Sequence, residues 1–136
     1  MNESSSSTIN EIDENSEYFK RKQKFLKPFN NNKHFKVIEV EQIKLKNYLI
    51  NKNIKNIDFL KIDTEGYELQ VLIGLEEKIK NVNLILFEHH YDKMLKKDYK
   101  FNDINDYLVE NNFIQILKLK MPFRKTFEYI YENRNK

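Results

Sequence analysis

The polar and apolar positions of this chain change their period several times, and each change marks an element. From Ile57 to Ile62 apolar residues fall on both faces of a short run, which predicts a strand buried between layers. Leu69, Leu72, Leu75 and Ile79 then repeat with a period near 3.6, so a helix is expected from about Glu65 to Lys80, with Gly74 inside it packed closely against the sheet. Val82 to Phe87 is a nearly continuous apolar run of strand length, as in an interior parallel strand, and it ends in Glu88, His89 and His90. A second helix, about Asn102 to Asn111, carries Ile104, Tyr107 and Leu108. Two strands follow, Phe113 to Lys120 and Thr126 to Glu132, joined by a turn around Pro122. In the last one Phe127, Tyr129 and Tyr131 alternate with Glu128, Ile130 and Glu132, the pattern of a half-exposed antiparallel strand.

Upstream the signals are weaker. Phe35 to Leu45 alternates enough to predict one more strand, and Lys44 to Asn51 a brief helical turn bearing Leu45, Tyr48 and Leu49. Residues 1–34 open with Ser4 to Thr8 and read as a polar, weakly ordered lead-in to a domain spanning 35–136. Within the lead-in Ser16 is placed to cap a short helix to Leu26, ahead of Pro28. Strand, helix, strand, helix and hairpin give an α/β fold: a parallel βαβα unit followed by an antiparallel carboxyl-terminal hairpin.

The 136 residues are 40% hydrophobic and 33% charged, enough for one domain with a modest core. No run approaches the roughly 20 apolar residues of a membrane span, and Met-Asn-Glu followed by serines is no leader peptide, so a cytoplasmic location is expected. The absence of cysteine excludes disulfides, thiolate metal sites and cysteine nucleophiles. Net charge is +3, but 24 basic and 21 acidic residues are interspersed. That describes a solvated mixed surface, and no nucleic-acid partner is expected; Lys20 to Lys22 with Lys24, and Lys93, Lys96 and Lys97, read as exposed faces.

The chemistry concentrates where the first central strand ends. In open α/β sheets ligands sit outside the carboxyl ends of the strands, so Asp63, Glu65 and Gly66 face a crevice. Asp63 and Glu65 suit a general base or the ligation of a divalent cation; they equally suit the amino-terminal turn of a helix. Two carboxylates are too few for a metal site of their own, and none is assigned. Glu88, His89 and His90 end the neighbouring strand, and alternation turns His89 and His90 to opposite sides. Either imidazole could abstract a proton near neutral pH, and each is also an ordinary residue after a strand. Lys61 should pair with a carboxylate or reach solvent, Phe123 to Lys125 read as a solvated turn, and His34 has no role.

The run Ile57 to Gly74, with its Lys-Ile-Asp-Thr-Glu-Gly core, resembles the K-I-D-x-E-G signature of FkbM-type S-adenosylmethionine-dependent methyltransferases, and the resemblance extends roughly from Phe35 to Glu132. It implies the carboxyl-terminal half of a Rossmann-like methyltransferase sheet, with methyl transfer to a hydroxyl of a sugar-containing or related acceptor. It further implies catalytic roles for Asp63, Glu65 and His89, donor contacts from Asp63 and Gly66, and acceptor contacts from Glu88 and His90. The family cradles S-adenosylmethionine in a D-x-G-A-N-x-G turn after its first strand, where glycine lets backbone approach the ligand. This chain has only Gly66 and Gly74, so the cofactor half is expected to be missing. A truncated or split enzyme follows, completed by a partner chain or a homo-oligomer. The alternative is a non-catalytic interaction module that uses the open sheet edge.

Overall fold

A computed structural model describes residues 8–26, 38–91, 95–122 and 124–135. The helices are α1 (Glu17–Leu26), α2 (Leu45–Asn51), α3 (Glu68–Ile73) and α4 (Phe101–Glu110), with a 3-10 helix at Glu76–Asn81. The strands are β1 (Ile57–Ile62), β2 (Val82–His90), β3 (Phe113–Lys120) and β4 (Thr126–Asn133). They form one sheet in the order β1-β2-β4-β3. β1 and β2 run parallel, while β4 is antiparallel to both β2 and β3.

The register divides the sheet into two unlike faces. Leu60, Ile85 and Tyr131 form one row across β1, β2 and β4, and Ile62, Phe87 and Tyr129 the next. These residues meet Leu49 of α2, Leu72 of α3, Ile79, and Ile104 and Leu108 of α4 in a single core. Phe87 stacks on Tyr129 and Tyr131 at 5.4 and 5.7 Å between ring centres. The tyrosine stripe of β4 is therefore packing. On the opposite face Phe59, Leu84 and Ile114 share one row, and Lys61, Leu86, Ile130 and Leu117 the next. That face is much more open, with Phe59 51%, Leu117 39% and Leu119 49% exposed.

Four expectations are corrected. The strand over Phe35 to Leu45 is absent from its described part: residues 38–44 form no strand, and Ile38, Val40 and Ile43 are exposed. Its first three residues lie outside the described residues, as do His34, Pro28, Lys93 and Phe123. β1 is not buried between layers, because it is the edge of the sheet and one side of it faces outward. The helix over Glu65 to Lys80 breaks in two at Gly74, and Glu76 adopts φ of 49°, which no continuous helix allows. Gly74 approaches α2 rather than the sheet: Lys46 N–H donates to its carbonyl at 2.9 Å, and a side chain there would lie 3.6 Å from Leu45 N.

The lead-in contains α1, which begins at Ser16, whose Oγ accepts from Phe19 N–H at 3.3 Å. Phe19 packs with Leu95 and Ile12. Just before it, residues 8–12 run across the strand ends, where Ile12 bridges to Leu95 and Glu11 accepts from Lys96 N–H.

Candidate functional site

Where β1 ends the chain turns sharply, and two consecutive residues take left-handed backbone, Glu65 at φ 50° and Gly66 at φ 96°. For a glutamate this is a strained conformation, held only when surrounding contacts enforce it. From below, the fully buried Glu68 carboxylate accepts from Gly66 N–H at 2.8 Å, from the Thr64 hydroxyl at 3.2 Å and from the Tyr99 hydroxyl. Tyr99 in turn accepts from Glu68 N–H at 3.3 Å. Burial, and then the Glu68 carboxylate, push the Tyr99 phenol well above its ordinary range, so it stays a donor. From above, Thr8 Oγ1 donates to the Glu65 carbonyl at 2.7 Å and Asn10 Nδ2 to the Gly66 carbonyl.

The forced turn throws the Glu65 side chain across to the end of β2. There Glu65 Oε2 lies 3.1 Å from His90 Nε2, and Glu88 Oε1 lies 3.4 Å from the same nitrogen. His90 Nδ1 is 3.1 Å from Thr126 Oγ1 on β4. The imidazole thus has the Thr126 hydroxyl at Nδ1 and the two carboxylates close to Nε2, with its side chain 8% exposed and that of Glu65 20%. Burial raises the Glu88 carboxyl above its ordinary range; His90 opposes the shift, while Asp63 and Glu65 add to it. Such a triad can take up a proton and spread the resulting charge over two carboxylates.

The other named residues fall into place around it. Asp63 pairs with Lys61 at 3.0 Å on the outer face of the sheet, close enough to Glu88 to be felt electrostatically. α3 has Tyr67 at its N-cap and no side-chain cap bond, so neither Asp63 nor Glu65 acts as its cap. His89 points away from His90, among the rings of Tyr91, Tyr99 and Phe101 at 4.8, 6.1 and 5.9 Å. Burial, helped by Lys97 and His90, pulls its pKa down to about 4. Glu68 and Tyr99, which hold the turn, were not singled out from sequence. A signal existed: Glu68 stands one helical turn before Leu72, on the apolar stripe itself.

Among the described residues no group of three or more histidines and acids is arranged to hold a metal ion. Neither glycine offers an open cradle for a nucleoside-bearing donor. The space a side chain would take at Gly66 is occupied by Asn10 Nδ2 at 2.6 Å and by Lys97 Cγ and Cδ at 3.2 Å. At Gly74 it meets the carbonyls of Gln70 and Val71. These residues do not fit the methyl donor that the K-I-D-x-E-G resemblance implies.

No helix among the described residues is long and apolar enough to cross a membrane. No curated protein and no solved structure matches the chain. The family profile of the methyltransferase FkbM domain matches residues 2–114, and the chain belongs to this family.

Proposed function

We propose, with membership of the methyltransferase FkbM family as the premise, that this chain supplies the acceptor-activating part of an S-adenosylmethionine-dependent O-methyltransferase. The acceptor is a hydroxyl on a sugar-containing or related molecule. The observation that carries the proposal is the 3.1 Å contact between Glu65 and His90 across the ends of two neighbouring strands.

In this reading an acceptor hydroxyl enters beside Glu65 and gives its proton to the Glu65–His90 pair as its oxygen becomes the nucleophile. Glu88 stabilises the imidazolium, and Thr126 fixes the ring through the other nitrogen. The donor is held by residues that this chain does not provide, so a partner chain carrying them completes the sheet next to β1; a second copy could cover the same edge but would bring no glycine-rich turn. The outward edge of β1 and the open face bearing Phe59 suit such an addition.

The test is transfer of a labelled methyl group from S-adenosylmethionine to carbohydrate hydroxyls. It is run with the chain alone and with the chain mixed with a family member that carries the glycine-rich turn. Transfer in the mixture only is the expected result. Tight binding of the donor by the chain alone, measured by titration calorimetry, would overturn the split. Sedimentation over a range of concentrations addresses the edge separately, because a strictly monomeric chain at all concentrations would exclude a second copy as its cover.

A further inference from the structure

A second feature lies on the other side of β2 from the Glu65–His90 pair. Between the end of β2 and the start of α4 the surface opens into a cleft of about 370 Å³, within the range of small-molecule sites. Its apolar wall is made by Tyr91, Tyr99 and Phe101, and His89 forms part of the lining. Lys100 supplies positive charge, Lys97 also lines the cleft, and no carboxylate is among the described lining residues. The cleft also contains the first residues of the ten-residue helix α4, where unpaired amides and the helix dipole favour negative charge. Lys100, the N-cap, donates its N–H to Asp103 at 2.6 Å and accepts from Asp103 N–H at 3.1 Å through its carbonyl, so the amides open to a ligand are those of Phe101 and Asn102.

His89 gives an independent sign of a ligand. It is 97% buried on the criterion of its 3% exposure, yet Nδ1 has no hydrogen-bond partner among the described residues. A buried polar nitrogen left without a partner costs free energy, and in native proteins that cost marks a site completed by something else. The other charges near the cleft are held elsewhere. Asp98 accepts from Gln70, and Lys97 donates to the His90 carbonyl and lies over the Tyr99 ring at 5.7 Å. Lys100 is exposed at the mouth.

We infer that this cleft binds a ring compound carrying an acid group, the ring lying against Phe101 and Tyr91 and the acid meeting Lys100 and the amino-terminal amides of α4. Apolar walls with a few convergent polar groups are the usual make-up of such a site. His90 is part of the lining and also meets Glu65 on the other side of β2, so the two features adjoin through that one residue. Identification of the ligand with the methyl acceptor rests on the proposed function; the binding itself does not.

Saturation-transfer NMR on the full chain, with no methyl donor present, tests the site. Two matched pairs serve as probes: glucuronate against glucose, and benzoate against benzyl alcohol. At least one acid is expected to bind at least about tenfold more tightly than its neutral partner, as one charge-assisted contact allows. Binding should shift the His89 ring resonances, and Lys100→Gln should weaken it by about tenfold. The pair showing the larger effect identifies the ring as a sugar or a flat aromatic. Equal binding of acid and neutral probes, insensitivity to Lys100→Gln, unchanged His89 resonances, or no acid bound at about 10 mM would overturn the inference. Since no methyl transfer is measured, a failed methyltransferase assay and a failed binding assay remain separate results.

Discussion

The Tyr99 hydroxyl donates to the Glu68 carboxylate at a point where both side chains are buried, joining the loop before α4 to the turn after β1. Removing one donor from a buried carboxylate leaves charge less well compensated, at a cost of about 1–3 kcal/mol. Tyr99→Phe is therefore expected to lower the stability measured by urea unfolding by that amount. Glu68→Gln should be costly too, since its amide cannot accept from three donors at once. An unchanged midpoint in both variants would show that this carboxylate does not hold the turn.

Glu65→Gln separates chemistry from structure. The side chain makes no cap to α3, and its recorded partner is His90, so the variant should melt within a few degrees of the parent. In a reconstituted enzyme turnover should fall by roughly 100-fold, the scale of a lost general base. The isolated chain should show no detectable turnover with either residue. A reconstituted rate that survives the substitution would remove Glu65 from the catalytic proposal.

The buried His89 makes stability depend on pH in a defined window. Its pKa is about 4 in the folded chain, against about 6.5 unfolded. Between those values the unfolded state binds the extra proton, so stability is full above pH 6.5 and falls as pH drops toward 4. From pH 7 to pH 5 the expected loss from this residue is about 2 kcal/mol. Urea titrations at the two pH values should show that loss in the parent and a flatter dependence in His89→Phe. The same slope in both proteins would assign the acid sensitivity to other groups.

Gly66→Ala probes the two reasons for a glycine at the turn. One is backbone, because φ of 96° is hostile to any side chain; the other is the Asn10 amide, 2.6 Å from the position of a new Cβ. A loss of about 1–3 kcal/mol is expected. Adding Asn10→Ala relieves the contact but not the dihedral, so only part of the loss should return. Complete recovery in the double variant would mean that φ contributes nothing.

How much of this could be read from the chain depended on which force decided each element. β1 was legible to its ends, Ile57 and Ile62, because a short apolar run between polar residues has few other uses. β2 and the β3–β4 hairpin followed from the same logic, with limits displaced by no more than three residues. Phe35 to Leu45 failed because alternation only permits a strand: its described residues 38–44 run exposed and do not pair with the open edge of β1. The stripe over Leu69 to Ile79 identified the buried face correctly but not the break, which depends on the contact of Gly74 with α2. At the site, the strand-end residues and the divergence of His89 from His90 were legible. The Glu65–His90 contact was not, since it needs the left-handed turn that Glu68 and Tyr99 enforce from residues far apart in the chain.

The placement of β4 between β2 and β3 also fixes the order in which this sheet can be assembled. β3 touches β4 and not β2, so it enters the sheet only through β4, whether β4 docks on β2 alone or as part of the closed hairpin. Until β4 docks, Phe87 lacks both of its stacking rings, and Val82 O lacks the Asn133 amide that reaches it at 2.9 Å. During synthesis β1, α3, β2 and α4 therefore emerge before the strand that completes their core. The slow step of folding is expected to be this late insertion, whose contacts span a long stretch of chain and carry a correspondingly large loop-closure cost.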